Sequence, residues 1–182
     1  MTLLIPGLLL WSAAHLFKRL APEVRGGMGE KGKGFAALGI LAGLILMIAG
    51  YRMSETYDFY ALPSFLRHVN NTLMVIAVFL FALGHSKSRL RAKMRHPMLT
   101  SVVVWGVAHL LVNSDAASLV LFGGMTLWAL VEMALINRAG PAPESYKGGS
   151  LAGDIRLVVI SLVVFGAIAG VHIWLGYNPF PM

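Results

Sequence analysis

The sequence predicts an all-α integral membrane protein of six transmembrane helices with both termini outside. Three observations carry the prediction: a composition too apolar for water, six apolar segments near spanning length, and basic residues gathered on alternate connections. Of the 182 residues, 57% are hydrophobic and only 13% charged, and the mean hydropathy is +0.73. Soluble domains carry roughly 25% charged residues. Lipid is therefore the solvent that suits this chain. Cysteine is absent, which excludes disulfides, thiolate metal sites and iron–sulfur clusters.

A helical span needs ~20 apolar residues. Segments that meet or approach this length run over Thr2–Leu20, Phe35–Tyr51, His68–Lys87, Pro97–Asn113, Ala116–Asn137 and Asp154–Tyr177. Together they make one transmembrane domain over residues 1–182. The first, "MTLLIPGLLLWSAAHLFKRL", lacks the basic residue that precedes the apolar run of a signal peptide, so it is expected to be a retained helix. The second and fourth are short and call for tilt or local thinning of the bilayer. The fourth opens at His96–Pro97, with proline at an early helical position where no N–H is required.

The connections set the orientation. Lys18, Arg19, Arg25, Lys31 and Lys33 follow the first segment; Lys87, Arg89, Arg91, Lys93 and Arg95 follow the third; Arg138, Lys147 and Arg156 follow the fifth. Only Arg52 and Arg67 fall on the other side. The positive-inside bias places these three connections in the cytoplasm and both termini outside. The net charge of +7 thus reads as a signal of topology and of contact with lipid headgroups; nucleic acid is not an expected partner. One stretch, "GGMGEKGKGF", fits phosphate-loop spacing from Gly27 as far as Lys33, but Gly34 replaces the hydroxyl that would hold magnesium. No strand precedes it and a membrane helix follows, so a flexible cytoplasmic turn is expected.

His15, His109 and His172 lie inside spans; His68, His85 and His96 lie at span ends. An ionisable group in hydrocarbon is costly, so an intramembrane histidine should face the bundle interior as ligand, relay or interhelical bond. "WSAAHL" (Trp11 to Leu16) and "WGVAHL" (Trp105 to Leu110) share a pattern. Each sets tryptophan four residues before histidine, on the same helix face. Small neighbours (Ser12 and Ala13; Gly106) let a flat ligand or a second helix come close. The two copies open the two halves of the chain and run in opposite directions, an arrangement that holds sites between repeats. Two neutral imidazoles suit the iron of a haem, which takes one ligand on each face. Trp11 and Trp105 would cover the ring. Zinc lacks a third and fourth ligand at comparable spacing, and simple interhelical hydrogen bonding is the alternative role for each histidine. At ~1.5 Å per residue, His15 falls nearer the inner boundary and His109 nearer the outer, ~8 Å apart along the normal. By depth His172 is the closer match to His109, and the second ligand stays open.

Around these residues, Asn113 lies one turn beyond His109 and is expected to orient it or to close the outer end of a pocket. Arg52 and Tyr57 are candidates to cap the same end. Glu132, an intramembrane carboxylate, is expected to pair with Arg95 or another basic residue of the inner boundary. His96 lies 13 residues before His109, about 220° around a straight helix, and cannot share its site.

The run "RHPMLTSVVVWGVAHLLVNSD" (Arg95 to Asp115), the early "AHL" with its basic tail, the "GEKG" and the closing "HIWLGYNPFP" resemble the NnrU family of bacterial membrane proteins over nearly the whole chain. The resemblance implies the bacterial inner (cytoplasmic) membrane and a link to nitrite and nitric oxide metabolism in denitrification. That family is similar to the zeta-carotene isomerases of plants, membrane haem b enzymes in which two histidines bind iron. The likeness matches their early intramembrane histidine to His15 and their second ligand to His109. It thereby implies haem b on His15 and His109, redox or isomerase-like chemistry, a small hydrophobic substrate and an electron donor. His172 has no clear counterpart there. "RHP" is shared more remotely with membrane methyltransferases that use S-adenosylmethionine, which would place a methyl-donor site at Arg95, His96 and Glu132. Those enzymes carry a downstream pair of acids, where this chain has Glu132 followed by Met133. A cofactor-free membrane accessory protein is the third alternative.

Overall fold

The computed structural model describes residues 1–55, 57–59, 61–140 and 146–180, and among them every regular element is helical. The long helices are α1 (Leu4–Leu20), α3 (Gly29–Arg52), α4 (Leu66–Leu83), α5 (Pro97–Leu110), α6 (Ala116–Arg138) and α7 (Leu151–Trp174). A short α2 (Pro22–Gly27) joins α1 to α3, and a single 3₁₀ turn covers Arg89–Lys93. Four of these, α3, α4, α6 and α7, are long and apolar enough to cross a membrane. The 17 residues of α1 and the 14 of α5 reach only about 26 and 21 Å.

Several boundaries differ from expectation, each for a local reason. The glycine-rich stretch expected to be a flexible turn instead closes α2 with Gly26 and Gly27, passes through Met28 and opens α3 from Gly29. Arg25 Nη1 donates to the Gly29 carbonyl and Lys33 pairs with Glu30 one turn back, which offsets the low helix propensity of glycine there. Helix α4 stops at Leu83 rather than Lys87: Ser86 turns back onto the Leu83 carbonyl, and Lys87 and Ser88 are drawn off to α7 and its cap residue Ser150. Helix α5 stops at Leu110, so Asn113 stands beyond its end. Pro97 does occupy the start of α5, with His96 as the preceding cap residue.

The helices pack in the spatial order α3, α1, α6, α5, α4, α7. Glycines set the tightest contacts: a Cβ on Gly43 would lie 2.7 Å from the Trp11 backbone N, and one on Gly7 2.7 Å from that of Met47. Such small-residue seams substitute for the hydrophobic drive that lipid removes. Two modest clusters result, one of Leu4, Met47, Ala117, Met125, Trp128 and Ala129, the other of Leu80, Leu83 and Leu157. Large apolar side chains meanwhile cover the outer faces, among them Leu38, Leu41, Ile45 and Ile48 on α3 and Leu162 and Val163 on α7. A surface so apolar requires an apolar solvent.

The basic connections meet at one end of the bundle. Arg19 pairs with Glu132 at 3.4 Å, Arg95 Nη2 donates to the Gly140 carbonyl at 2.9 Å, and Ser150 N donates to the Lys87 carbonyl at 3.2 Å. At the other end the Met1 ammonium donates to Ser54 Oγ and Asn71 Nδ2 to the Pro179 carbonyl. The basic end is fastened by Asp154, whose carboxylate accepts from Ser88 Oγ (2.7 Å), Arg89 N (2.9 Å) and Arg89 Nε (2.7 Å). Asp154→Ala removes all three bonds. It is expected to make the Arg89–Lys93 turn severalfold more sensitive to trypsin, measured by limited proteolysis, while helix content by circular dichroism is unchanged.

Candidate functional site

Each intramembrane histidine is locked by its own helix. His15 Nδ1–H donates to the Trp11 carbonyl at 2.9 Å, His109 Nδ1–H to the Trp105 carbonyl at 2.9 Å, and His172 Nδ1–H to the Ile168 carbonyl at 2.8 Å. A carbonyl only accepts, so in the neutral ring the proton is on Nδ1 and the lone pair of Nε2 is left free. A histidine that ligates a metal is held in this way by a group on its other nitrogen.

Helix α6 stands beside two of the three. The His15 ring packs 4.2 Å from Trp11 and 4.8 Å from Trp128, centroid to centroid. The His109 ring stacks on Phe122 at 4.4 Å and 23°, with Trp105 5.2 Å away. Phe122 and Trp128 are six residues apart on α6, about 9 Å along its axis. His15 and His109 therefore meet α6 at different depths, which agrees with the offset expected from helix counting.

A π-helical turn over Leu119–Gly123 interrupts α6 at this point. Such turns re-aim side chains and are frequent at functional sites. Here the turn carries Phe122 onto His109 and also edge-on to Trp105, at 4.9 Å. Gly106 makes this possible: a Cβ there would collide with Thr126 Oγ1 and lie 2.8 Å from the Phe122 carbonyl oxygen. The small residue of "WGVAHL" thus admits α6, not a flat ligand.

Among the described residues, three buried polar atoms around His15 have no hydrogen-bond partner: Trp11 Nε1, Trp128 Nε1 and Glu132 Oε2. Trp11, His15 and Arg19 form one stripe of α1, facing Trp128 and Glu132 on α6.

The remaining expected residues are engaged elsewhere. Glu132 pairs with Arg19 rather than Arg95, because Arg95 reaches past it to the carbonyls of Ile136 and Gly140. His96 Nε2 hydrogen-bonds Asn137 Oδ1 at 2.8 Å. Asn113 Nδ2 donates to the His109 backbone carbonyl at 2.8 Å, capping the helix end and leaving the imidazole alone. Arg52 and Tyr57 are exposed. Phe122 and Trp128 escaped the sequence reading. The Gly123–Gly124 pair in mid-helix and the four-residue spacing of Trp128 and Glu132 were the available signals for them.

Among the described residues no three His, Cys, Asp or Glu side chains lie together, so a bare ion would find no protein cage. A haem iron needs only two protein ligands, and imidazoles with a carbonyl-bound Nδ1 are chemically suited to it. In donor type the residues fit that group, while the rings of His15 and His109 meet α6 about 9 Å apart along its axis.

A family model described as "NnrU protein" matches residues 3–179. No curated protein and no solved structure matches the chain.

Proposed function

The chain belongs to the NnrU family, and on that premise we propose that it is a six-span inner-membrane protein in which His109 and His15 would hold a b-type haem. The observation that carries the proposal is the set of intramembrane imidazoles whose Nδ1 is committed to a backbone carbonyl, which frees Nε2 for a metal. The unpaired indole N–H groups of Trp11 and Trp128 support it, as donors beside His15 without protein partners. When bound, haem would supply a one-electron iron couple for chemistry linked to nitrite and nitric oxide metabolism, with a small hydrophobic substrate and an electron donor as partners. The chain's own contribution is positional. Phe122 and Trp105 fix the plane of His109, Trp11 and Trp128 fix that of His15, and the lipid-embedded helices exclude water.

His172 competes with His15 for the second position, since its Nδ1 is likewise committed to a backbone carbonyl. Absorption spectra of the detergent-purified protein decide. A Soret band that shifts on adding dithionite is expected, together with its loss in His109→Ala. Loss in His15→Ala with retention in His172→Ala assigns the ligand pair as proposed; the reverse pattern assigns His172. A colourless protein from haem-replete cells, or a Soret band unmoved by His109→Ala, overturns haem binding at this site. A colourless protein that binds S-adenosylmethionine would point to the methyltransferase reading, although Arg95, His96 and Glu132 each have protein partners.

A further inference from the structure

A cavity of about 460 Å³ opens between α4 and α7 at the basic end, far along the bundle from His109. Its throat is apolar, formed by Val78, Phe81, Leu157, Ile160 and Val164, and its mouth carries His85, Ser86, Lys87 and Arg156. Phe81, Ile160 and Val164 are also 51%, 47% and 41% exposed. The throat is therefore continuous with the lipid-facing surface. Among the described residues, the ion pairs are Arg19–Glu132, Lys33–Glu30 and Arg89–Asp154. Lys87 and Arg156 are in none of them, so two cations stand at the mouth without a carboxylate.

The mouth is also built rigidly. The Lys87 carbonyl accepts from Ser150 N, Gly153 packs so closely on Lys87 that no Cβ could be added, and Asp154 holds Ser88 and Arg89 next door. Arg91 Nη1 donates to the Ser86 carbonyl, and its guanidinium lies 4.7 Å over the Tyr146 ring. This scaffold presents Lys87, four residues beyond the end of α4, and Arg156, in the second turn of α7, at one cavity mouth.

The geometry points to a site for one anionic phospholipid of the inner leaflet. Its phosphate is held between Lys87 and Arg156, and an acyl chain runs along Phe81, Ile160 and Val164. Basic pockets between transmembrane helices on the cytoplasmic side recognise such headgroups, whereas annular lipid is held by apolar contact alone. Charge complementarity selects the occupant: an acid or phosphate without a tail leaves the throat empty, and a neutral lipid leaves both cations unpaired. The site is independent of whether the protein carries haem.

Native mass spectrometry of the full chain tests it, using phosphatidylglycerol and phosphatidylcholine with identical acyl chains at equal concentration. One retained phosphatidylglycerol, preferred about tenfold or more over phosphatidylcholine, is expected from two cations near a headgroup. The Lys87→Gln/Arg156→Gln variant should bring the ratio close to unity, Lys87→Arg/Arg156→Lys should keep it, and Lys31→Gln/Lys33→Gln, changed at the same end but off the cavity, should leave it unmoved. Val164→Trp, which fills the throat, should lose the retained lipid with all charges in place. A ratio near unity for the unmodified protein overturns the proposal. So does an equal loss in the Lys31→Gln/Lys33→Gln variant, or displacement of the lipid by inorganic phosphate at the same concentration, which would show that the headgroup charge alone is bound. The unmodified protein by itself supplies the ratio and the phosphate result, whichever variants fold.

Discussion

Gly106→Val is expected to destabilise the detergent-solubilised protein by about 3 kcal/mol, the upper part of the range for overpacking a close interface. The α5–α6 contact has no room for a side chain at this position. The Cβ would meet Thr126 Oγ1, already held by its bond to the Phe122 carbonyl at 2.7 Å, and would lie 2.8 Å from that carbonyl oxygen. Neither atom can withdraw without opening the turn that seats Phe122 on His109. The effect should therefore reach the site as well as the stability. Chemical unfolding followed by tryptophan fluorescence measures the first, and the Soret band reports the second. Adding Thr126→Ala to Gly106→Ala removes one of the two obstructing atoms, so a partial rescue is expected for that pair and almost none for Gly106→Val, whose branches still meet backbone. Stability of Gly106→Val within 0.5 kcal/mol of the parent, the range of neutral surface changes, would contradict the close approach of these helices.

Asp115→Ala is expected to cost about 2–3 kcal/mol, combining a lost helix cap with a stranded buried hydroxyl. Asp115 and Ser118 are 4% and 0% exposed. Asp115 Oδ1 accepts from Ser118 N at 2.9 Å and Oδ2 from Ser118 Oγ at 2.6 Å, while Ser118 Oγ is 2.9 Å from Tyr51 OH. The chain of bonds ties α3 to the first turn of α6, immediately before the π-helical turn. Asp115→Asn preserves one acceptor for the cap and should cost about half as much, and Tyr51→Phe about 1 kcal/mol. Equal effects for Asp115→Ala and Asp115→Asn in unfolding experiments would show that the buried network, and not the cap, is what matters.

Much of the helical layout was legible in composition and charge, because bilayer thickness and the cost of unpaired backbone groups leave a hydrophobic chain few alternatives. The long helices lie where the apolar segments run, and the basic connections do gather at one end. The candidate ligands were legible too, since an imidazole in an apolar run stands out. Their second partners were not. Arg19 meets Glu132 across 113 positions of sequence, and helical periodicity carries no information about which foreign helix a face will meet.

Local grammar also misled where tertiary contacts outweighed it. The glycines from Gly29 to Gly34 read as a turn, yet they lie in α3, where a side-chain pair and the Arg25 bond to the Gly29 carbonyl hold its first turn and the apolar run that follows continues it. The end of α4 was read four residues too late, since Asp154, distant in sequence, claims Ser88 and Arg89.

The sequence by itself determined that this chain is helical and apolar enough for lipid, and that three histidines interrupt its apolar segments, because each of these follows from residue types and their spacing alone. Tertiary structure decided which helices touch, which aromatic ring covers each imidazole, and which cations are left without a carboxylate. Those outcomes depend on the mutual rotation and depth of packed helices, fixed by close contacts such as Gly106 on Phe122 that no single segment encodes.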